Sequence, residues 1–119
     1  MTEPYVQALM IQADQTYEIR QIDDRPSTYK QLIGNIDRTF EVANMTIWCS
    51  SEPNLPFNPM ATFLWWKLEP AVAELVRLDG TVIVTGRPDE AGDATDLPTD
   101  ILETYRDLEG ARLIEQLKM

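Results

Sequence analysis

Apolar and polar residues follow two different periods along the chain, and this predicts a mixture of strands and helices. Residues 5–11 are rich in apolar side chains and contain no Gly or Pro, as is typical of a strand near the centre of a sheet. Residues 17–22 alternate apolar with polar side chains, which is the two-residue period of a half-buried strand. The polar segment Ala13-Asp14-Gln15 lies between them, so the pair is predicted to form a hairpin.

A short helix and two more strands are predicted next. Ser27 or Thr28 can cap the helix, and Gly34 can end it. In residues 35–42 the apolar side chains occupy even-numbered positions, and Arg38 is the one charged side chain at such a position. The apolar side chains at these positions are Ile36, Phe40 and Val42. Residues 45–49 form a strongly apolar run. Both segments are therefore predicted to be strands.

The central helix is preceded by a loop with many turn-forming residues, residues 50–58. Asn58 can accept hydrogen bonds from the first helical amides, and Pro59 at the first helical position sacrifices none. Within the helix the large side chains are expected to point all round the axis. Met60, Phe63 and Leu64 fall on one face, and Trp65 and Trp66 on either side of the opposite face.

Three elements are predicted after this helix. Pro70 restarts a shorter helix, with Val72, Leu75 and Val76 expected to point inward. Residues 81–85 read as a strand, and residues 98–119 as a C-terminal helical segment. The apolar stripe of that last segment comprises Ile101, Leu102, Tyr105, Leu108, Leu113, Ile114 and Leu117. We expect this stripe to form a partner or homodimer surface rather than complete the core, the alternative being that it packs on its own sheet.

These elements predict a single domain over residues 1–119 of the α+β class. It has a mostly antiparallel sheet of about five strands covered by helices, in the order β-β-α-β-β-α-α-β-α. A chain of 119 residues suits one domain with one core.

Composition excludes several classes of function. The net charge of −10 opposes direct binding to nucleic-acid phosphates or anionic membranes. The chain has no histidine, so catalysis and metal sites that depend on histidine are impossible. The glycines are isolated, so no phosphate-binding loop is present, and the acidic residues between Asp89 and Glu109 do not have the spacing of a calcium loop. We therefore expect no enzyme activity, no cofactor and no metal.

The location of the protein and its single cysteine can also be predicted. No apolar run is long enough to span a membrane and no signal peptide is visible, so we expect a cytoplasmic protein. Cys49 lies in an apolar strand and is expected to be buried and unreactive. The acidic stretch up to Glu109 is either an interaction face or a solvated surface.

Two groups of residues are candidates for binding. The first is the loop that leads into the central helix, where Ser50, Ser51, Asn54 and Asn58 could hold an anion at the helix N-terminus; the alternative is simple capping. The second is the pair Trp65 and Trp66, which could form an aromatic contact surface to which Phe57 and Trp48 could add; the alternative is that the two adjacent tryptophans belong to the core or its margin.

Several segments resemble a small uncharacterised family found in actinobacteria, their phages (as in mycobacteriophages) and other mobile elements. The segments are Leu32-Ile33-Gly34, Trp48-Cys49, Leu55-Pro56-Phe57-Asn58-Pro59-Met60-Ala61-Thr62, Leu64-Trp65-Trp66 and Gly80-Thr81-Val82-Ile83-Val84-Thr85-Gly86. Relatives commonly carry Asn-Glu-Glu-Gly where this chain has Ser50-Ser51-Glu52-Pro53-Asn54.

The resemblance implies a phage or mobile-element accessory protein, located in the host cytoplasm if phage-encoded. The function that we predict is non-enzymatic binding of a host or phage protein. The alternative is a small-ligand binder that holds an anionic metabolite or nucleotide at the start of the central helix.

Overall fold

The computed structural model describes residues 5–34 and 38–117, and in the last helix the side chains as far as Arg112. The described residues form five strands and three α-helices, and a 3₁₀ turn, Pro70–Val72, follows the second helix. In chain order the strands and α-helices are β1 (Tyr5–Ile11), β2 (Tyr17–Asp23), α1 (Pro26–Ile33), β3 (Arg38–Val42), β4 (Met45–Cys49), α2 (Pro59–Leu68), β5 (Val82–Gly86) and α3 (Thr99–Leu117). The predicted α+β class is confirmed.

The strands form one antiparallel sheet in the order β2-β1-β5-β4-β3. β1 pairs along its whole length with β2, from Tyr5 opposite Asp23 to Ile11 opposite Tyr17. On its other side β1 pairs with β5, which in turn pairs with β4. The central strands carry apolar side chains on both faces, so both faces of the sheet must be covered.

The larger core lies between one sheet face and helices α2 and α3. The sheet side chains in this core alternate along each strand, as the two-residue period requires. They are Leu9, Ile11, Val42, Met45, Ile47, Cys49, Val82 and Val84. The predicted burial of Cys49 is confirmed. Each fully buried aliphatic side chain stabilises the fold by about 1.5–3 kcal/mol relative to its exposed state.

The smaller core lies on the opposite face, beneath α1. Tyr29 of α1 stacks on Trp48 of β4, with ring centroids 4.0 Å apart and ring planes inclined by 11°. The Tyr29 hydroxyl donates a 2.9 Å hydrogen bond to Asp24, whose second oxygen accepts from the amide of Ala94. One carboxylate therefore fixes both α1 and the loop before α3 on this face.

The start of α1 differs from the prediction. Ser27 and Thr28 do not cap the helix, because it begins at Pro26 and both residues lie in its first turn. Arg25 occupies the capping position and makes no side-chain capping bond. Proline fixes its own φ in the helical range and has no amide hydrogen to satisfy, so it can begin a helix without such a cap. Gly34 ends the helix as predicted.

The buried side of α2 also differs from the prediction. Met60 and Leu64 are buried, but Phe63, expected on the same face, is 42% exposed, and Trp65 is buried in its place. Trp65 packs against Phe40 with 4.8 Å between ring centroids. The buried arc of the helix is centred on Leu64 and Trp65 because the larger ring fills the space beside β3.

The prediction of a short helix after Pro70 is wrong. Only the 3₁₀ turn forms, Glu74 has a positive φ of 67°, and Leu75 is 79% exposed instead of pointing inward. The chain must leave the helical conformation here because residues 78–80 run alongside residues 56–58. In that pairing the backbone N–H of Asn58 donates to the Leu78 carbonyl, and the backbone N–H of Gly80 donates to the Pro56 carbonyl.

Helix α3 contributes to the core, contrary to expectation. Ile101 and Tyr105 are completely buried in the larger core. The helix crosses α2, and Tyr105 makes an edge-on contact with Tyr17 of β2 at 4.9 Å between centroids. The described part of the stripe therefore packs on the protein's own sheet, which was the alternative to a partner surface. Ile36 and the side chains of Leu113, Ile114 and Leu117 lie outside the described residues.

Candidate functional site

Asn58 occupies the N-cap of α2, and its side chain is completely buried. Its Oδ1 accepts a 3.2 Å hydrogen bond from the amide of Ala61. Its Nδ2 donates to the carbonyls of Ile11, at 3.0 Å, and Gly80, at 2.7 Å. A ligand at this helix N-terminus would have to displace bonds made within the chain, and Asn58 joins β1, α2 and the Gly80 turn that precedes β5.

The other polar candidates lie in the loop before α2. The Ser50 hydroxyl accepts a 3.1 Å hydrogen bond from the amide of Glu52. Asn54 is exposed at the loop tip, where its φ of 65° matches the tolerance of asparagine for the left-handed region. Ser50 and Ser51 line a cleft, whereas neither Asn54 nor Asn58 is part of its lining.

The two adjacent tryptophans have different environments. Trp65 is buried, and its indole N–H donates a 3.0 Å hydrogen bond to Glu69. Trp66 is half-buried; its indole N–H donates at 2.9 Å to the carbonyl of Val76, and its ring lies 5.5 Å from that of Phe63. Trp65 therefore belongs to the core, and Trp66 belongs to the margin between core and surface.

The cleft has a volume of about 340 Å³ and lies between the ends of β3 and β4 and the segment that leads to β5. We call it the Arg38 cleft. Two aromatic rings, Phe40 and Trp65, lie against each other within its lining. The described residues that line it are Arg38, Phe40, Cys49, Ser50, Ser51, Glu52, Trp65, Leu75, Val76, Arg77, Leu78 and Asp79.

Charges of both signs surround the Arg38 cleft. Arg77 donates from Nε to Asp79 at 2.7 Å, and its guanidinium carbon lies 4.6 Å from the centre of the Phe57 ring. Arg38 is exposed and makes no ion pair with any residue in the described ranges. The Glu52 carboxylate is directed towards α1, since a Cβ placed at Gly34 would lie 3.2 Å from both its oxygens. Among the described residues, Arg38 is therefore the charge of this cleft that has no ion-pair partner.

An exposed aromatic surface lies along α2 and the segment that follows it. We call this the Phe63 surface, defined by Phe57, Phe63, Trp66 and Leu75. Phe63 contacts Trp66, the indole of Trp66 bonds to the carbonyl of Val76 next to Leu75, and Phe57 lies under Arg77, two residues further along. Large apolar side chains that remain exposed together are characteristic of interaction surfaces.

A second cavity, of about 390 Å³, lies near the β1–β2 turn and includes Leu55 and Gly80. Asp14 is the one ionisable side chain among the described residues that line it. The hydroxyl and backbone amide of Thr16 both donate to Asp14, and these bonds lower the pKa of that carboxyl. Those described lining residues include no cation, so they offer little chemistry with which to select a charged ligand.

Sequence reasoning missed Arg38 and Arg77 as potential site residues. Arg38 could have been recognised, because it interrupts an otherwise apolar parity in a strand. It stands opposite Cys49 in the β3–β4 register, on the face that carries Phe40 and Ile47. Arg77 gives no comparable signal, because only the folding of residues 75–79 beside β4 brings it to the cleft.

Within the described part of the chain, no helix has both the length and the apolar character needed to cross a bilayer. The same residues contain no group of three Cys, Asp or Glu side chains placed to hold a metal ion.

Comparison with known proteins identifies a family without assigning an activity. A domain of unknown function, DUF3846, matches residues 6–109, which include every strand and most of α3. No curated protein and no solved structure matches the chain. Because the match spans the whole sheet and both cores, the chain belongs to the DUF3846 family.

Proposed function

We propose that this protein is a non-enzymatic accessory protein of a phage or mobile element that acts by binding a host or phage protein. The observation that carries the proposal is the Phe63 surface. Of the four large apolar side chains exposed in the described residues, Phe57, Phe63 and Leu75 lie within nineteen positions of one another, and only Tyr5 lies elsewhere. The context of phages and mobile elements is supported by the sequence resemblance.

The composition of this surface suits a protein partner. Aromatic side chains dominate the energetics of protein interfaces, particularly where polar groups surround them. Lys67 and Arg77 border the surface, the Glu69 carboxylate is held by Trp65, and Glu74 adjoins Leu75. We infer that the partner presents an apolar side chain flanked by carboxylates, which would meet these two cations in an otherwise acidic protein.

The test compares captured proteins between matched variants of the full chain. Phe63→Gln and Leu75→Gln remove exposed apolar contacts while leaving the buried arc of α2 intact, and Tyr5→Gln is the control outside the surface. Proteins captured from host and phage-infected lysates would be identified, purified and titrated calorimetrically against each variant.

We expect Phe63→Gln to weaken binding of the purified partner at least about tenfold, as for an interface hot spot. Tyr5→Gln should change the affinity by less than about twofold. Equal binding by the Phe63→Gln/Leu75→Gln double variant would contradict the proposal. The proposal would also be contradicted if the native chain captured no protein from the lysates beyond those that the double variant captures.

A further inference from the structure

We propose that the Arg38 cleft binds a small planar ligand carrying one anionic group, either a carboxylate or a phosphate. The cleft adjoins the Phe63 surface, with which it shares Leu75, and it differs from the start of α2, where the buried Asn58 side chain is fully engaged. The proposal rests on the shape, aromatic lining and charge of the cleft.

The volume and lining of the cleft suit a single ring system. Ligand pockets in proteins measure roughly 300–1,000 Å³, so a cleft of about 340 Å³ admits a small molecule rather than a polymer. The half-buried Phe40 ring, backed by the buried Trp65 ring at an inclination of 41°, offers an apolar surface against which a planar group can pack. Trp65 is held in place by its bond to Glu69, so this surface is already formed.

The cations provide a place for the anionic group. Arg38 has no ion-pair partner among the described residues, so binding an anion there breaks no existing pair. A guanidinium can bind carboxylate or phosphate through two parallel hydrogen bonds. Arg77 pairs with Asp79 through Nε only, and its terminal nitrogens make no hydrogen bond in the described structure.

The acids of the cleft do not cancel this preference. Asp79 is neutralised by Arg77, and Glu52 is directed towards Gly34. The hydroxyl of Ser50 accepts from the Glu52 amide, which leaves its own proton available as a donor. The cleft therefore presents more donors than acceptors to a bound molecule.

The test is an NMR titration of the full-length protein with indole-3-acetate and with AMP, which carry a carboxylate and a phosphate respectively. Indole, acetate and inorganic phosphate serve as the separate halves. The indole N–H signal of Trp65 reports on the cleft. That of Trp48, which lies on the other face of the sheet beside Tyr29, is the internal control.

We expect at least one of the two probes to shift the Trp65 signal at about 1 mM. Indole, acetate and inorganic phosphate alone should bind more weakly than that probe. Arg38→Gln should weaken that probe about tenfold, while Arg20→Gln, an exposed arginine on the opposite edge strand, should leave it unchanged. The proposal is overturned if neither probe shifts the Trp65 signal, or if Arg38→Gln binds like the native chain with an otherwise unaltered spectrum. If a probe does bind, the one that binds more tightly shows whether the anionic group is a carboxylate or a phosphate.

Discussion

At the scale of single residues, Asn58 is more than a helix cap. Its amide bonds to two carbonyls from other segments and accepts from the first turn of α2, all without exposure to solvent. Asn58→Ala should lower the free energy of unfolding by about 3 kcal/mol, because buried backbone groups lose their partners. A cap alone would contribute about 1 kcal/mol.

Asn58→Asp separates these two roles, since aspartate caps as well as asparagine but has no amide protons to donate. We expect Asn58→Asp to be at least as destabilising as Asn58→Ala in urea unfolding. Asn44→Ala, which removes an exposed side-chain amide bonded to Asp100, should lower the free energy of unfolding much less. Full stability of Asn58→Asp would show that capping is the whole of the contribution.

The two fully buried tyrosines make a matched pair for mutation. The Tyr29 hydroxyl bonds to Asp24, whereas the Tyr105 hydroxyl has no hydrogen-bond partner among the described side chains. Tyr29→Phe should cost about 1 kcal/mol at neutral pH, and Tyr105→Phe should be neutral or stabilising, because it removes an unsatisfied polar group. Chemical denaturation of both variants checks this, and a large loss of stability in Tyr105→Phe would contradict it.

Both phenols should also make the fold sensitive to alkali. Burial raises the pKa of Tyr29, with Asp24 adding to the effect, and burial followed by the Glu109 charge raises the pKa of Tyr105. The unfolded state releases these protons from about pH 10, whereas the folded state retains them. Stability should therefore be complete below about pH 10 and fall above it, less steeply in Tyr105→Phe.

At the scale of elements, α3 is part of the fold and not an appendage. Ile101 and Tyr105 are completely buried, so a chain ending at Leu97 would expose the larger core. We expect this truncated protein to be insoluble or to lack a cooperative thermal transition, and Ile101→Ala in the full chain to cost about 3 kcal/mol. A truncated protein that unfolds cooperatively would contradict this. Homodimer formation through the C-terminal helix stays a prediction, which light scattering of the full chain checks.

The strands were more predictable than the helix faces. Alternation predicted β2 and β3, and apolar runs predicted β1, β4 and β5; both patterns are local properties of the sequence. The exposed position of Phe63 depends on Trp65 filling the space beside Phe40, which is a tertiary contact that no helical period records. The failure of the predicted helix after Pro70 has the same origin, because pairing of residues 78–80 with residues 56–58 overrides local preference.

At the scale of the whole molecule, the candidate sites depend on non-local packing. The sequence singled out Ser50, Ser51 and Trp65, and these three lie together at the Arg38 cleft. It could not place Arg77 there, since the approach of residues 75–79 to β4 is set by the path of the chain into β5. Nor could it show that Asn58 is inaccessible, because its partners Ile11 and Gly80 are distant in sequence.

One tryptophan packs on each face of the sheet, Trp48 of β4 against α1 and Trp65 of α2 against Phe40, and this gives the molecule two optical reporters. In chains that each retain one of these two tryptophans, fluorescence would follow the loosening of one helical layer at a time. Coincident melting curves would mean that the sheet couples its two sides into one cooperative unit, and separated curves that one layer can detach while the other persists.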